Sequence, residues 1–320
     1  MQRGCACSPF FIAVSGSPNS FAKEKEMEYK EFLNAVCDYI NESSGEVHVS
    51  IHSATKNNGV RLSGLSFSKE GYNAAPTIYM ENYYADYLNG EDICEIGERL
   101  LRLYNENDLA VKLDMSFFDD FDSVKDRLFI KLINRSSNRD FLEEVPYEEY
   151  LDLAIVAYVR IHDKKIGNGI IMVRHEHCRM WGTDPETVLF TAKKNTHDHD
   201  AFTIRHITEV LASMGNTSLS ECCDRNDFPM YVATNRKMTN GASVLVMNDK
   251  LREFYKVIGG DYYIIPSSVH ELILLGCAST DRSVDINRMI RDVNRTQLGP
   301  DDVLSDHAYL YSPDDGVLIF

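Results

Sequence analysis

Short alternating apolar segments joined by turn residues constrain the fold of this 320-residue chain more than any other feature. Residues 47–51 and 60–65 each alternate between apolar and polar side chains, as a half-buried strand does. The tetrapeptide at 56–59, Lys-Asn-Asn-Gly, lies between them, and Asn and Gly tolerate the positive φ angles of a tight turn. The sequence therefore predicts an antiparallel hairpin here.

The same strand–turn–strand pattern recurs along the chain, and segments with helical periodicity separate the hairpins. Further strand pairs are predicted at 153–161 with 170–173, 231–234 with 243–247, 262–266 with 271–275, and 307–311 with 317–320. Helices are predicted at 29–40, 81–88, 92–104, 119–125, 183–195 with Thr183 as N-cap, 204–214, 249–258 and 285–295. Hairpins with interspersed helices favour an α+β fold with mixed or antiparallel sheets over a doubly wound parallel sheet.

The sequence suggests three regions along the chain. Residues 1–26 end in Lys-Glu-Lys-Glu before Met27, and purine-rich codons for these residues resemble a ribosome-binding site. We interpret 1–26 as a misassigned start or a disordered extension. Residues 27–200 are predicted to form an N-terminal α+β region and 201–320 a C-terminal α+β region, with one continuous fold as the alternative.

Charge and composition limit the classes of function. The chain has 49 acidic and 33 basic side chains, a net charge of −16, which argues against general affinity for nucleic acid. No run of about 18 apolar residues occurs, so a membrane-spanning helix is not expected. The eight cysteines are scattered without zinc-knuckle spacing, as in a reducing cytoplasm. We therefore expect a soluble cytoplasmic protein. No cofactor is expected either, because no Gly-rich phosphate loop opens a helix.

Several short stretches, in order along the chain, carry a family resemblance. They are Lys-Asn-Asn-Gly-Val at 56–60, Pro-Thr-Ile-Tyr-Met-Glu at 76–81, Trp-Gly at 181–182, Asn-Thr at 195–196, Thr-Asn at 234–235, Gly-Ala at 241–242, Pro-Ser-Ser-Val-His-Glu at 266–271, and Val-Leu-Ser-Asp at 303–306. On these stretches the chain resembles DUF5688, a family of uncharacterised proteins from Clostridia-type bacteria. It is more loosely similar to the uncharacterised YtpQ-like proteins. The resemblance implies no activity, cofactor or site residue.

Two groups of potential metal ligands flank the helix predicted at 183–195. The groups are His-Glu-His-Cys at 175–178 and His-Asp-His-Asp at 197–200, and imidazole, thiolate and carboxylate are ligands of zinc. A His-x-His pair on a strand would point both rings to one face, whereas the helix would hold the groups about 20 Å apart. The candidate ligands are His175, His177, His197 and His199; the alternative is that these side chains are structural or incidental.

Tyrosines form a second candidate site. Tyr79, Tyr83 and Tyr87 follow one another at intervals of four residues, so on a helix they would share one face. Such a stripe either packs into the core or presents a protein-binding surface, because tyrosine combines a large contact area with a polar tip. The sequence leaves both possibilities open.

Two further patterns have simpler explanations. Ser267 and Ser268 precede His270, but the Gly-x-Ser-x-Gly turn of a nucleophilic serine is missing, so a turn whose hydroxyls bond the local backbone is favoured. The acidic runs at 119–122 and 301–302 are interpreted as solvated surface rather than as a magnesium site.

These observations favour a non-catalytic protein that acts through macromolecular interaction, as a regulator or accessory factor, with a protein as the expected partner. The alternative is a metal-dependent hydrolase that uses the histidine groups. Nothing in the sequence specifies the oligomeric state.

Overall fold

The computed structural model describes residues 27–107, 112–163, 167–213, 230–266, 268–277 and 285–320. Helices and antiparallel strands are interspersed along these ranges, so the predicted α+β class is confirmed. Within the same ranges, every helix is too short or too polar to cross a membrane. The predicted extension, residues 1–26, lies outside the described residues.

The first unit is a three-stranded antiparallel sheet covered by helices. Its elements are α1 (Tyr29–Ser43), β1 (His48–Thr55), β2 (Arg61–Ser68), β3 (Thr77–Tyr79), α2 (Glu81–Leu88) and α3 (Ile93–Glu106). The strand order is β1-β2-β3, so β1 lies at one edge. Phe32 of α1 packs with Leu65 and Phe67 of β2, and all three are fully buried. The predicted hairpin is therefore confirmed, with longer strands than expected.

The second unit is a four-stranded antiparallel sheet with its own helices. Its elements are α4 (Phe121–Val124), β4 (Leu128–Asn134), α5 (Arg139–Leu142), β5 (Tyr147–Tyr150), β6 (Leu153–Asp163), β7 (Gly167–Met172), α6 (His175–Trp181) and α7 (Pro185–His199). Strand β6 pairs with β4 on one side and with β5 and β7 on the other. The N-cap of α7 is Asp184, whose carboxylate accepts a hydrogen bond from the N–H of Thr187 at 2.8 Å. The predicted cap, Thr183, is wrong by one residue, because Pro185 occupies the first helical position.

The third unit is a six-stranded antiparallel sheet. Its elements are β8 (Phe202–His206), α8 (Ile207–Ser213), β9 (Met230–Asn235), α9 (Asn248–Ile258), β10 (Tyr262–Ile265), β11 (Leu272–Gly276), α10 (Ile286–Gln297), β12 (Tyr309–Ser312) and β13 (Gly316–Ile319). The strand order is β13-β12-β10-β11-β9-β8.

Two predicted elements of this unit are wrong. The helix predicted at 204–214 begins at Ile207, because residues 202–206 pair with β9. The strand predicted at 243–247 is part of a 3₁₀ helix, Gly241–Val246, whose first five residues are buried. An apolar run that is buried on all sides lacks the periodicity that distinguishes strand from helix.

The second and third units share one hydrophobic core. Leu128 and Ile155 lie in the same buried cluster as Ile264 and Leu272. These two units therefore have separate sheets and one common core, and the predicted division of the chain at residue 200 stays a prediction. The first unit has a separate cluster, drawn from residues 32–104.

Asparagine side chains attach the β1–β2 turn to the rest of the protein. Asn58, at φ +59°, donates through Nδ2 to the carbonyls of Pro300 at 2.9 Å and Val303 at 2.7 Å. The N–H of Asn58 donates to Oδ1 of Asn138 at 2.8 Å, and Nδ2 of Asn138 donates back to Oδ1 of Asn58 at 3.0 Å. The tip of the first hairpin is thereby fixed against the loop before α5 and against residues 300–303.

Candidate functional site

The first pair of predicted metal ligands, His175 and His177, lies on helix α6 rather than on a strand. Side chains two residues apart on a helix point about 200° apart. Nδ1 of His177 accepts a hydrogen bond from the N–H of Arg174 at 3.1 Å, and its ring packs edge-on against Phe118 with centroids 5.0 Å apart. Burial lowers the pKa of His177, because the charged ring loses hydration. This side chain is part of an aromatic cluster.

The second pair, His197 and His199, lies in the last turn of α7. Nδ1 of His197 is 3.0 Å from Oδ1 of Asp198, and Nε2 is 3.0 Å from Oδ2 of Asp249. These hydrogen bonds raise the pKa of His197, and the bond with Asp198 contributes most. The side chain of His199 is exposed. Across the described ranges, no group of three or more His, Cys, Asp and Glu side chains is arranged to hold a metal ion. The structure does not bring the four histidines into one cluster.

The predicted tyrosine stripe is divided between two elements. Tyr79 ends strand β3, whereas Tyr83 and Tyr87 lie on α2. The ammonium of Lys56 lies 4.6 Å from the ring centre of Tyr79, and the guanidinium of Arg99 lies 4.7 Å from that of Tyr83. The ring of Tyr87 packs against the core of the first unit. All three rings are partly buried, and their role in binding a partner stays a prediction.

The serine–histidine segment forms a turn. Oγ of Ser268 accepts a hydrogen bond from the backbone N–H of His270 at 3.0 Å. The His270 ring accepts from the N–H of Asn240 at Nδ1, 3.1 Å away, and its Nε2 lies 3.2 Å from Asp302. The turn interpretation is confirmed for Ser268, and Ser267 lies outside the described residues.

A different feature, the open edge of strand β1, has a clearer chemical meaning. Strand β1 pairs with β2 on one side only, and the hairpin closes through the N–H of Lys56, which donates to the carbonyl of Val60 at 2.7 Å. Because hydrogen-bonded pairs alternate in an antiparallel ladder, even-numbered residues of β1 face β2. Ile51, Ser53 and Thr55 therefore turn their N–H and C=O groups outward. Among the described residues, these groups have no hydrogen-bond partner.

Helix α1 supplies hydrogen-bond partners for the backbone of Val49, the outward residue that precedes Ile51 on the same edge. The Asn41 side chain accepts from the N–H of Val49 and donates to its C=O, both at 2.8 Å. This pair of bonds imitates a neighbouring strand. The edge is thus occupied at Val49 and open from Ile51 to Thr55.

A groove of about 700 Å³ runs along this open edge. We call it the edge groove; its lining residues are His52, Ser53, Ala54, Thr55, Gly59, Arg61, Ser136, Ser137, Asn138, Arg139, Asp140, Phe141, Glu144 and Arg174. One wall is strand β1, and the facing wall is the segment that leads into and through α5. Its volume lies within the range of about 300–1,000 Å³ found for ligand pockets.

The net charge of the edge groove is positive, whereas that of the whole chain is negative. Arg61, Arg139 and Arg174 contribute +3, and Asp140 and Glu144 contribute −2, a sum of +1, whereas the chain carries −16. Arg174 is paired with Glu144. Arg61 and Arg139 are exposed and make no ion pair or hydrogen bond with any residue that the structure describes. Their planar guanidinium groups suit carboxylates.

This site was not among the sequence predictions, although β1 carries a signal for it. Edge strands are usually protected from further pairing by charged residues or proline. The segment His48–Thr55 contains no Lys, Arg, Asp, Glu or Pro. The absence of these protecting residues has a meaning only for an edge strand, and the tertiary structure decides that β1 is one.

One comparison with known proteins confirms the DUF5688 part of the resemblance. A search of curated proteins and a search of solved structures gave no match. Residues 29–313 match the family model described as a family of unknown function, DUF5688. The match extends from α1 through β12. The chain therefore belongs to the DUF5688 family of unknown function.

Proposed function

We propose that the protein binds an extended segment of another polypeptide, which adds as a strand to the open edge of β1. This function belongs to the predicted class of non-catalytic proteins that act through macromolecular interaction, as a regulator or accessory factor in the cytoplasm. The observation that carries the proposal is the row of outward backbone groups on Ile51, Ser53 and Thr55, which lack partners among the described residues and line or adjoin a groove.

Backbone geometry supports strand addition. An added strand lies about 4.8 Å from its neighbour and bonds to every second residue. Three residues of β1 with outward N–H and C=O groups thus provide up to six hydrogen bonds in the spacing that an extended peptide requires. The Asn41 side chain makes two hydrogen bonds to Val49, the next outward residue along the same edge. A donor and an acceptor from outside the sheet therefore already bond the outward backbone groups of β1 at this position.

The facing wall supports selectivity. In strand addition the main-chain bonds provide affinity, and side-chain contacts with the surroundings provide specificity. Here the surroundings include the apolar ring of Phe141 and the polar side chains of Ser137 and Arg139. A bound segment would therefore meet the protein on two sides.

Proline substitution on the edge tests the proposal. Ser53→Pro removes one outward N–H without removing a bond between β1 and β2, and proline is tolerated on edge strands in this orientation. Ile319→Pro places a proline on the edge of the third sheet, since Ile319 also points its backbone outward, and serves as the matched control. Random short peptides are selected for binding to the full chain, and their affinities are measured by fluorescence anisotropy.

We expect the selected peptides to bind the wild-type protein and Ile319→Pro equally and to bind Ser53→Pro at least about tenfold more weakly, from a lost hydrogen bond and a steric clash. Peptides N-methylated at successive positions should lose binding at alternate residues only. Circular dichroism checks that both variants are folded. Full binding by Ser53→Pro, or failure to select any peptide, would contradict the proposal.

A further inference from the structure

The edge groove is closed at the end where strand β1 finishes. Beyond Thr55 the chain turns back, and the N–H of Asn58 contacts the Asn138 side chain at 2.8 Å. A β-carbon added to Gly59 would lie 3.7 Å from the carbonyl oxygen of Ser137, an ordinary van der Waals distance. The two walls of the groove therefore meet here, and a polypeptide lying along β1 has no path past this end.

Two arginines that have no ion-pair or hydrogen-bond partner among the described residues lie at this closed end. Arg61 is the cross-strand neighbour of Thr55, the last residue of β1, and Arg139 directly follows Asn138, which makes the closing contact. Both side chains line the groove and are exposed. Their guanidinium groups have no ion pair or hydrogen bond in the part of the chain that the structure describes.

The remaining charges of the groove do not neutralise these two arginines. Glu144 is held by Arg174 in an ion pair. Asp140 follows Arg139 on α5, and neighbouring helical side chains point about 100° apart. Asp140 makes no ion pair with either arginine. Among the residues that line the groove, Arg61 and Arg139 therefore leave an excess of positive charge.

We propose that the edge groove takes the carboxyl-terminal residues of a polypeptide and holds the terminal α-carboxylate at Arg61 and Arg139; this inference rests on the proposed strand addition. A chain end fits a closed groove because nothing has to continue beyond it. An α-carboxylate is attracted by two guanidinium groups, whereas an α-ammonium group is repelled.

The position of the terminal carboxylate also determines the direction of the bound segment. Strand β1 runs toward the closed end, since Thr55 is its last residue. A segment whose carboxyl terminus lies at that end runs in the same direction, so it pairs with β1 in parallel. Parallel ladders use the same outward groups with evenly spaced, slanted hydrogen bonds.

The test compares each selected peptide as a free acid and as its carboxyl-terminal amide, with affinities measured by fluorescence anisotropy. We expect the amide to bind about tenfold more weakly, the effect of losing a charge-assisted hydrogen bond. Arg61→Gln and Arg139→Gln should each weaken binding of the acid by a similar factor and leave binding of the amide unchanged. The matched control is Arg135→Gln, because Arg135 lies outside the groove and pairs with Glu149.

The outcomes separate this inference from the proposed function. Equal affinities of acid and amide, with binding still lost in Ser53→Pro, would overturn the carboxylate site and leave strand addition intact. Loss of binding in Arg135→Gln equal to that in Arg139→Gln would also overturn it, since general charge would then explain the effect. Unchanged binding in Ser53→Pro would instead overturn strand addition itself.

Discussion

Replacing Asn58 with alanine is expected to loosen the turn that closes the edge groove. Asn58 has φ +59°, a conformation that asparagine and glycine adopt more readily than other residues. Its side chain makes three hydrogen bonds, to the carbonyls of Pro300 and Val303 and with Nδ2 of Asn138. Alanine removes all three and keeps a β-carbon in the left-handed region.

The expected loss follows from these contacts. Each hydrogen bond contributes about 1 kcal/mol net to the free energy of unfolding, so Asn58→Gly should lower it by about 3 kcal/mol. Alanine adds about 1 kcal/mol for the left-handed backbone, so Asn58→Ala should lower it by about 4 kcal/mol. The difference between the two variants isolates the backbone contribution.

Urea unfolding followed by circular dichroism measures both losses. The control is Asn34→Ala, because Asn34 bonds only the carbonyl of Lys30 on an exposed helix and should change stability by less than about 0.5 kcal/mol. A loss below about 1 kcal/mol for Asn58→Gly would refute the role of the three hydrogen bonds. Equal losses for glycine and alanine would refute the backbone contribution.

Four further predictions concern other parts of the molecule. Asp200→Asn breaks a largely buried pair with Arg160, so urea unfolding should show a loss of about 3 kcal/mol; a loss under about 1 kcal/mol would contradict this. Burial lowers the pKa of Lys131 in strand β4, so Lys131→Met should raise the free energy of unfolding by about 1 kcal/mol near neutral pH. This gain should shrink as pH rises toward the ordinary pKa of lysine, and a loss of stability would contradict the prediction. The pKa of His197 is raised by its partners Asp198 and Asp249, so the stability lost in His197→Gln should be greatest below the ordinary pKa of histidine and vanish as pH rises through the raised value; a pH-independent loss would exclude this linkage. Purified protein without an affinity tag should hold less than one zinc per chain, because the predicted histidine ligands do not converge; a one-to-one complex in elemental analysis would restore the metal hypothesis.

Local structure was largely predictable because its causes are local. The helix predicted at 81–88 matches α2, and the turn at 56–59 joins β1 to β2, since periodicity and turn chemistry act over a few residues. Residues 204–206 were wrongly predicted as helix. Their strand conformation depends on pairing with β9, which is distant in the sequence and leaves no local signal. The capping error at Thr183 has a local cause, the neighbouring pair Asp184 and Pro185.

The candidate site shows where sequence reasoning reaches its limit. The sequence by itself determined the α+β class, the existence of the first hairpin and the acidic character of the chain. Only the tertiary structure decided that β1 is an edge, that Arg61 and Arg139 lie in one groove, and that the four histidines do not form one cluster. The physical reason is that alternation reveals which side chains of a strand are buried, whereas the neighbours of its backbone groups depend on strands and loops far away in the sequence.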